Sequence, residues 1–292
     1  MTDADLHATA AAWLAAGRAA RVVQVLRHRG SVPREAGTRM LVAGDAVAGT
    51  IGGGHLEWQA IQQARVRLRL GEPAAERDIA LGPTLGQCCG GALTLRDAPL
   101  DAQALADWPQ PAPLFTLQLY GAGHVGRAIV ALLAGIDCRV QWIDEREDAF
   151  PVDQTLPAHI ERVCVEPVAA EVRAAVPGSL ALILTHSHDL DLAICEAALR
   201  SDRLAWVGLI GSATKRARFE HRLAARGVAP GRIAALACPI GVPGITGKQP
   251  AVIAVAVVAQ LLQQASTAAL RPPALTGRPG AAQPCDPTRL HR

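Results

Sequence analysis

The sequence predicts an α/β protein: a small mixed α+β N-terminal domain followed by a Rossmann-like, doubly wound domain with a parallel sheet. Two observations predict this class. From Phe115 onwards, apolar strands alternate with helical segments, as parallel sheets require. Before that point strands and helices are mixed, and a proline-rich stretch separates the two patterns. The 292 residues are enough for about two domains.

The N-terminal domain is predicted over residues 1–97. A helix rich in alanine and leucine over 3–17 ends at a glycine, and a β-branched strand follows it. The next two apolar runs form a hairpin around Gly44-Asp45, a dipeptide typical of tight turns. A helix over 52–71 has apolar residues at near-helical spacing. A short strand over 92–96 completes this domain.

The Rossmann-like domain is predicted over residues 114–265, after a proline-rich linker over 98–113. Five strands and four helices are expected in it. The last helix begins at Pro250, because proline suits the first turn of a helix. The remaining residues, 266–292, are rich in proline and glycine and are predicted to form a disordered tail.

The composition excludes several classes of function. Only 3% of the residues are aromatic, and the net charge of +3 is scattered along the chain. Neither base stacking nor binding to a nucleic-acid backbone is therefore expected. The N-terminus is acidic and lacks the basic region of a secretory signal. The longest apolar run, Ala251–Ala259, is shorter than the roughly 18 residues of a membrane span. We therefore expect a cytoplasmic protein without a membrane partner.

A glycine-rich turn opens the second domain. Gly121, Gly123 and Gly126 match the pattern G-x-G-x-x-G between a strand and a helix. In that order, these glycines allow a tight turn, close approach of a phosphate and close packing of helix on strand. Asp144 ends the next strand, where a carboxylate would hold a ribose hydroxyl. The pattern predicts a nucleotide-like or other phosphate ligand; the alternative is that the glycines serve packing and Asp144 is a surface acid.

Two further candidates follow later strands of the same sheet. His186 lies just past the fourth strand, where ligands of open parallel sheets bind, and could hold a metal or transfer protons. The alternative is a helix cap, since Ser187 and Asp189 suit that role. Lys215 follows the fifth strand and could contact a second phosphate.

The N-terminal domain contains two more candidate sites. Gly52, Gly53 and Gly54 precede a helix whose first N–H groups are expected to be unpaired and to bind an anion. The alternative is a glycine-rich turn that needs positive φ. Cys88 and Cys89 are adjacent and flanked by glycines. Structural disulfides are not expected in a long chain with seven cysteines and no secretory signal. Thiols that hold a metal or carry sulfur are the preferred interpretation, and two small buried residues are the alternative.

Together these motifs resemble those of the xanthine dehydrogenase accessory family, the XdhC/CoxI group. The resemblance extends from about residue 20 to residue 262. The segments that carry it are 30–34, 39–40, 49–57, 86–91, 121–126, 144–146, 185–186, 208–216, 239–241 and Pro250. The chain departs from the family pattern at Val252 and Ala256, where an acid and a hydroxyl are usual.

The resemblance implies a molybdenum cofactor chaperone with no turnover of its own. Such a protein binds molybdopterin and supports its sulfuration together with a cysteine desulfurase. It then delivers the cofactor to a molybdenum hydroxylase such as xanthine dehydrogenase. The resemblance is compatible with a homodimer. On this interpretation Arg34 and Arg39 bind phosphate with the glycine-rich loops, and Cys88 and Cys89 contact molybdenum or the transferred sulfur.

Two other hypotheses remain open. An NAD(P)-dependent oxidoreductase would use the turn at Gly121, with His186 as its acid or base, but it leaves the cysteine pair and the triple glycine unexplained. A redox sensor would form a disulfide between Cys88 and Cys89. The turn itself could bind a nucleotide, the molybdenum cofactor or nothing.

Overall fold

The computed structural model describes residues 1–81, 90–109, 112–152 and 155–269. The helices there are α1 Asp3–Ala15, α2 Gly54–Leu70, α3 Ala102–Ala106, α4 His124–Leu133, α5 His188–Arg200, α6 Ala213–Ala225, α7 Pro230–Ala234 and α8 Pro250–Ala269. The strands are β1 Ala20–Arg29, β2 Arg39–Ala43, β3 Val47–Gly49, β4 Ala75–Ala80, β5 Ala92–Pro99, β6 Thr116–Tyr120, β7 Arg139–Asp144, β8 Ile160–Cys164, β9 Ser179–Ile183 and β10 Leu204–Leu209.

The N-terminal unit is an antiparallel sheet with the strand order β3-β2-β1-β5-β4. Successive residues of a strand point to opposite faces. Val23 and Met40 accordingly pack with α2 on one face. Val22 and Leu41 pack with α1 on the other. Both faces of the sheet are therefore covered, and the mixed α+β prediction for this region is confirmed.

Two elements of this unit were not predicted. β4 is an edge strand whose residues are largely exposed, so it lacks the apolar run that marks a buried strand. The segment 98–113, predicted as a linker, contains the last residues of β5 and the helix α3. Leu100 and Trp108 are buried in the same core as α1. The prolines misled the prediction because Pro99 ends a strand and Pro109 follows the helix, positions that proline tolerates.

The second unit is a parallel sheet with the strand order β10-β9-β6-β7-β8. If these strands are numbered 1 to 5 along the chain, starting at β6, their order in the sheet from β8 to β10 is 3-2-1-4-5, which is the Rossmann order. Helices α4 and α8 cover one face, and α5 and α6 cover the other. The predicted Rossmann-like domain is confirmed. The order reverses between β6 and β9, so the ligand crevice expected for this fold lies at the carboxyl ends of those strands.

Helix α8 is long and apolar enough to cross a membrane by length and composition alone. It packs against α4 and buries Ala254, Val257 and Leu261 in the core of the parallel sheet. The core helix of a globular domain meets the same criteria. The helix also includes residues 266–269, which were predicted to belong to the tail; the remaining tail residues lie outside the described residues.

Candidate functional site

The glycine-rich turn follows β6 at the carboxyl edge of the parallel sheet. Gly121 has a φ of 121°, and a Cβ on it would lie 2.4 Å from the carbonyl oxygen of Leu184. A Cβ on Gly126 would lie 2.1 Å from the carbonyl oxygen of Gly121. Glycine is therefore required at both positions, one for the tight turn and one for close packing of α4.

Gly123 differs from these two glycines, because no atom lies within 4 Å of the point that its Cβ would occupy. It is the N-cap of α4, and no described side chain caps this end of the helix. Unpaired N–H groups and the helix dipole favour an anion at such an N-terminus. The open space at Gly123 is therefore where a phosphate-type group fits this turn.

Asp144 ends β7 as predicted, but its surroundings differ from the prediction. It is 4% exposed. Oδ2 accepts hydrogen bonds from Ala122 N and Arg146 Nη2 at 2.7 and 3.0 Å. Oδ1 accepts from Arg146 N and Nε at 3.1 and 3.0 Å. A carboxylate has about four acceptor positions, so none is left for a ribose hydroxyl, and the predicted ribose contact is wrong for this arrangement.

The protonation of Asp144 follows from these partners. Burial alone would raise the pKa of Asp144, because a charged carboxylate loses hydration. The hydrogen bonds from Arg146 and from Ala122 N–H outweigh burial and lower the pKa below its ordinary value. Asp144 is therefore an anion that holds the glycine-rich turn against β7.

His186 faces a carboxylate across the crevice. Its Nε2 lies 3.6 Å from Glu145 Oε1, which joins the end of β9 to the end of β7. Its side chain is 42% exposed and open to a ligand. Among the described residues there is no group of three or more His, Cys, Asp or Glu side chains that could hold a metal ion, so nothing here supports His186 as a metal ligand. The neighbouring Ser187 caps α5 by accepting from Leu190 N.

Lys215 is held by protein groups through two of its three N–H donors, and its predicted contact with a phosphate stays a prediction. Its Nζ donates to Asp191 Oδ2 at 2.6 Å and to the carbonyl oxygen of Ile210 at 2.9 Å. Asp191 is fully buried, and its Oδ1 accepts from the N–H and hydroxyl of Thr185 at 2.9 and 2.7 Å. This network ties the ends of β9 and β10 together beneath the crevice.

At the triple glycine, the place predicted for an anion is taken by a carboxylate of the protein itself. Glu57 Oε2 accepts from the N–H groups of Ile51 and Gly53, each at 3.0 Å, and from the hydroxyl of Thr50. Gly52 N–H donates to Thr50 Oγ1 at 3.1 Å. The expectation of unpaired amides around Gly52, Gly53 and Gly54 is therefore wrong for the first two glycines, and the Glu57 carboxylate repels an anion placed beside them.

Arg34 and Arg39 line one cavity of about 710 Å³. Arg39 is 8% exposed, and Arg34 is exposed. Asp3 at the start of α1 and Asp137 just before β7 complete the lining at the junction of the two units. Burial lowers the pKa of Arg39, and the negative charge of Asp3 offsets part of this effect.

The predicted site residues therefore form two groups at opposite edges of the parallel sheet. Asp137, in the cavity of the two arginines, precedes β7. Gly121 and Asp144 stand at the other end of the five-residue strand β6 and its neighbour β7. Strands of this length separate the two edges by about 16 Å. The sequence leaves open whether the turn at Gly121 and the two arginines share one ligand, and within a single chain the structure separates them.

Cys88 and Cys89 lie outside the described residues, so their metal or sulfur contacts stay a prediction. Leu81 N donates to the carbonyl oxygen of Gly91 at 2.8 Å, and Gly91 N donates to that of Ser31 at 3.1 Å. Gly91 therefore lies beside the first of the family-like motifs, residues 30–34.

Sequence reasoning missed the roles of three charged residues in this account: Arg146, Asp191 and Glu57. Each pairs with a group that the motifs had assigned to a ligand. An arginine two residues after an acid, or an acid four residues after an N-cap glycine, is a local signal for such pairing.

Comparisons with known proteins agree with this arrangement. A family model described as the XdhC Rossmann domain matches residues 117–261. A second, described as the XdhC and CoxI family, matches residues 13–78. The chain belongs to the XdhC and CoxI family. The two matches cover most of both units, including the glycine-rich turn and the two arginines of the cavity.

Two of the proteins that are similar to this XdhC and CoxI family chain are a curated protein and a solved structure. "Uncharacterized protein YqeB" of Escherichia coli (strain K12) is 32% identical over 254 residues, which are 83% of this chain. The chain spans 43% of that protein's length. A solved structure described as a xanthine dehydrogenase from Bacillus halodurans has a TM-score of 0.72 at 19% identity, covering 91% of this chain and 96% of that one. At this identity the likeness shows a shared fold.

Proposed function

We propose that this chain is an accessory factor that binds the molybdenum cofactor and inserts it into a molybdenum hydroxylase such as xanthine dehydrogenase. It supports sulfuration of the cofactor together with a cysteine desulfurase and has no turnover of its own. Membership in the XdhC and CoxI family supports a role in xanthine dehydrogenase maturation.

The observation that carries this proposal is the open N-terminus of α4. Molybdopterin has a terminal phosphate, and Gly123 leaves room for such a group beside uncapped N–H groups. The turn is held rigidly by Asp144 from one side and by the indole N–H of Trp142, which donates to Gly121 O at 3.1 Å. A preorganised turn binds an anion without a further ordering cost.

The cysteine pair supplies the second part of the proposal. Sulfur ligands suit a soft metal centre, and thiols can carry sulfur by exchange. Three of the four cysteines that the structure describes, Cys138, Cys195 and Cys238, are buried and therefore less suited to this role. The fourth, Cys164, is exposed, and its hydrogen bond with Glu147 raises the pKa of its thiol. Burial, with a smaller effect of Asp137, raises the pKa of Cys138 to about 12, so its reactive thiolate is rare at neutral pH.

The second candidate is an NAD(P)-dependent oxidoreductase. The pair of His186 and Glu145 at the open crevice favours it, because an imidazole oriented by a carboxylate is a general acid or base. The filled acceptor positions of Asp144 weigh against it, since an NAD ribose usually requires that carboxylate.

A reconstitution assay distinguishes the two functions. The chain is loaded with molybdenum cofactor, the pterin with its metal, and mixed with a cofactor-free molybdenum hydroxylase, a cysteine desulfurase and L-cysteine as the sulfur donor. The chaperone proposal predicts that hydroxylase activity appears faster and to a higher final level than with free cofactor. Equal activation with and without the chain would contradict the proposal.

A further inference from the structure

The cavity at the junction of the two units has buried and charged groups in its lining, and a ligand at the Rossmann turn would not contact them. Its volume of about 710 Å³ lies within the roughly 300–1,000 Å³ typical of small-molecule sites. The loop of residues 34–39 forms one side, and Asp3, Pro109 and Asp137 lie around it. Asp3 N donates to Asp137 Oδ1 at 3.0 Å, so the two units meet at its edge.

Arg39 is the central residue of this cavity. It is more than nine-tenths buried and lies with its guanidinium carbon 4.9 Å from the ring centre of Trp108. Of its five N–H donors, one bonds to a described protein acceptor, the Gly37 carbonyl oxygen at 3.0 Å. No described carboxylate lies within the 4 Å of an ion pair. The remaining N–H groups of Arg39 are available to donate to an anionic ligand in the cavity.

The other charged groups of the cavity are the exposed Glu35 and amino terminus, the acids Asp3 and Asp137, and Arg34, and none of them forms an ion pair with Arg39. The negative charge of Asp3 raises the pKa of Arg39, but Asp3 Oδ2 accepts its hydrogen bond from Trp108 Nε1, at 3.2 Å. Asp137 Oδ1 accepts from Asp3 N. Arg34 at the rim is exposed and has no partner among the described residues. Two guanidinium groups match a phosphate group, which carries about −1.5 to −2 near neutral pH.

We propose that this cavity is a second ligand site, which binds a phosphate-bearing small molecule with its phosphate on Arg39 and Arg34. The site is separate from the turn at Gly123, because the two lie at opposite edges of the parallel sheet. The family resemblance implies that Arg34 and Arg39 bind the cofactor phosphate, whereas the proposed function places that phosphate at Gly123. The ligand of this cavity is therefore a further phosphate compound, which requires neither molybdenum nor the cysteine pair. Because the cavity is lined by both units, its ligand holds them together.

Calorimetric titration of the full chain tests this site, with inorganic phosphate as the bare anion and AMP as a phosphate that carries an organic group. Ionic strength is held constant with chloride. Charge-assisted hydrogen bonds contribute about 1.5–3 kcal/mol each, so Arg39→Met is expected to weaken binding about tenfold or more. Arg39→Lys keeps the positive charge but loses the planar guanidinium, so its affinity is expected to lie between those of the parent chain and of Arg39→Met. Tighter binding of AMP than of phosphate identifies an organic phosphate as the ligand.

Two matched variants keep the test decisive. Arg69→Gln removes one exposed arginine of α2 outside the cavity and is expected to change affinity less than about twofold. Arg34→Gln, at the exposed rim, tests the site even if Arg39→Met fails to fold, and is expected to weaken binding several-fold. Gly123→Val changes the turn before α4 and not the cavity, so the part of the binding that Arg34→Gln weakens is expected to persist in this variant. Absence of binding to the parent chain, equal losses in Arg69→Gln and Arg34→Gln, or loss of that binding in Gly123→Val would each overturn the proposal.

Discussion

Asp144 joins the end of β7 to the glycine-rich turn through hydrogen bonds to Ala122 and Arg146. Its carboxylate positions a ligand site without having a free acceptor for the ligand. Lys215 and Glu57 likewise bond to protein groups in places where the motifs suggest a phosphate. At the residue scale, motif residues therefore support the loops, and the open contacts are N–H groups and unpaired arginines.

Asp144→Asn is expected to destabilise the fold by about 1–3 kcal/mol at neutral pH, because it weakens a buried charge-assisted pair. The lowered pKa sets the pH dependence. Its stabilisation is present above the ordinary aspartate pKa of about 4 and is lost as pH falls through the lower folded value. Urea unfolding of both proteins at pH 7 and pH 3.5 is expected to show a smaller difference at the lower pH.

Asp189→Asn is the matched control, since Asp189 pairs with Arg222 at the surface and is 83% exposed. Surface pairs contribute about 0–1 kcal/mol. A loss in Asp144→Asn no larger than in this control would show that the carboxylate does not brace the turn.

The cysteine pair gives a second prediction at this scale. Replacing Cys88 and Cys89 together by alanine is expected to leave the circular dichroism spectrum unchanged and to abolish delivery of sulfurated cofactor. Removing both thiols leaves no sulfur carrier in that segment. The exposed Cys164→Ala is the control and is expected to retain delivery. Full activation of a cofactor-free hydroxylase by the double variant would exclude the proposed role.

At the scale of elements, the sequence predicts well wherever periodicity and turn residues agree. The alternating strands and helices after Phe115 gave the parallel sheet, because buried strands are continuously apolar. The exposed edge strand β4 and the short helix α3 were not predicted, since neither has an apolar pattern of its own. Side-chain pairing between distant segments, as between Asp191 and Lys215, depends on tertiary contacts that spacing alone does not reveal.

The turn before α4 offers a matched pair of glycines. Gly123→Val adds a side chain in open space at an extended φ of −71°, so the fold is expected to persist while ligand approach is blocked. Gly121→Ala meets the Leu184 carbonyl and a positive φ, so it is expected to destabilise the fold by about 1–3 kcal/mol. Thermal unfolding and the amount of bound pterin, measured on both variants, distinguish a loss of stability from a loss of ligand binding. Unchanged pterin in a folded Gly123→Val would show that the ligand binds elsewhere.

At the scale of the whole molecule, the structure is two α/β units with ligand-accessible features at opposite edges of the parallel sheet. The carboxyl edge has the open turn and the pair of His186 and Glu145. The amino edge has the arginine cavity shared by both units. A homodimer remains a prediction, and a partner copy could bring the two kinds of site together.

The most direct test of the central claim is the content of the protein purified without oxygen from cells that make molybdopterin. Molybdenum, pterin and NAD(P) are measured per chain on the same sample. The account predicts close to one pterin per chain, and a lower content in Gly123→Val. Absence of pterin together with bound NAD(P) would contradict it and assign the Gly121–Asp144 crevice to an oxidoreductase.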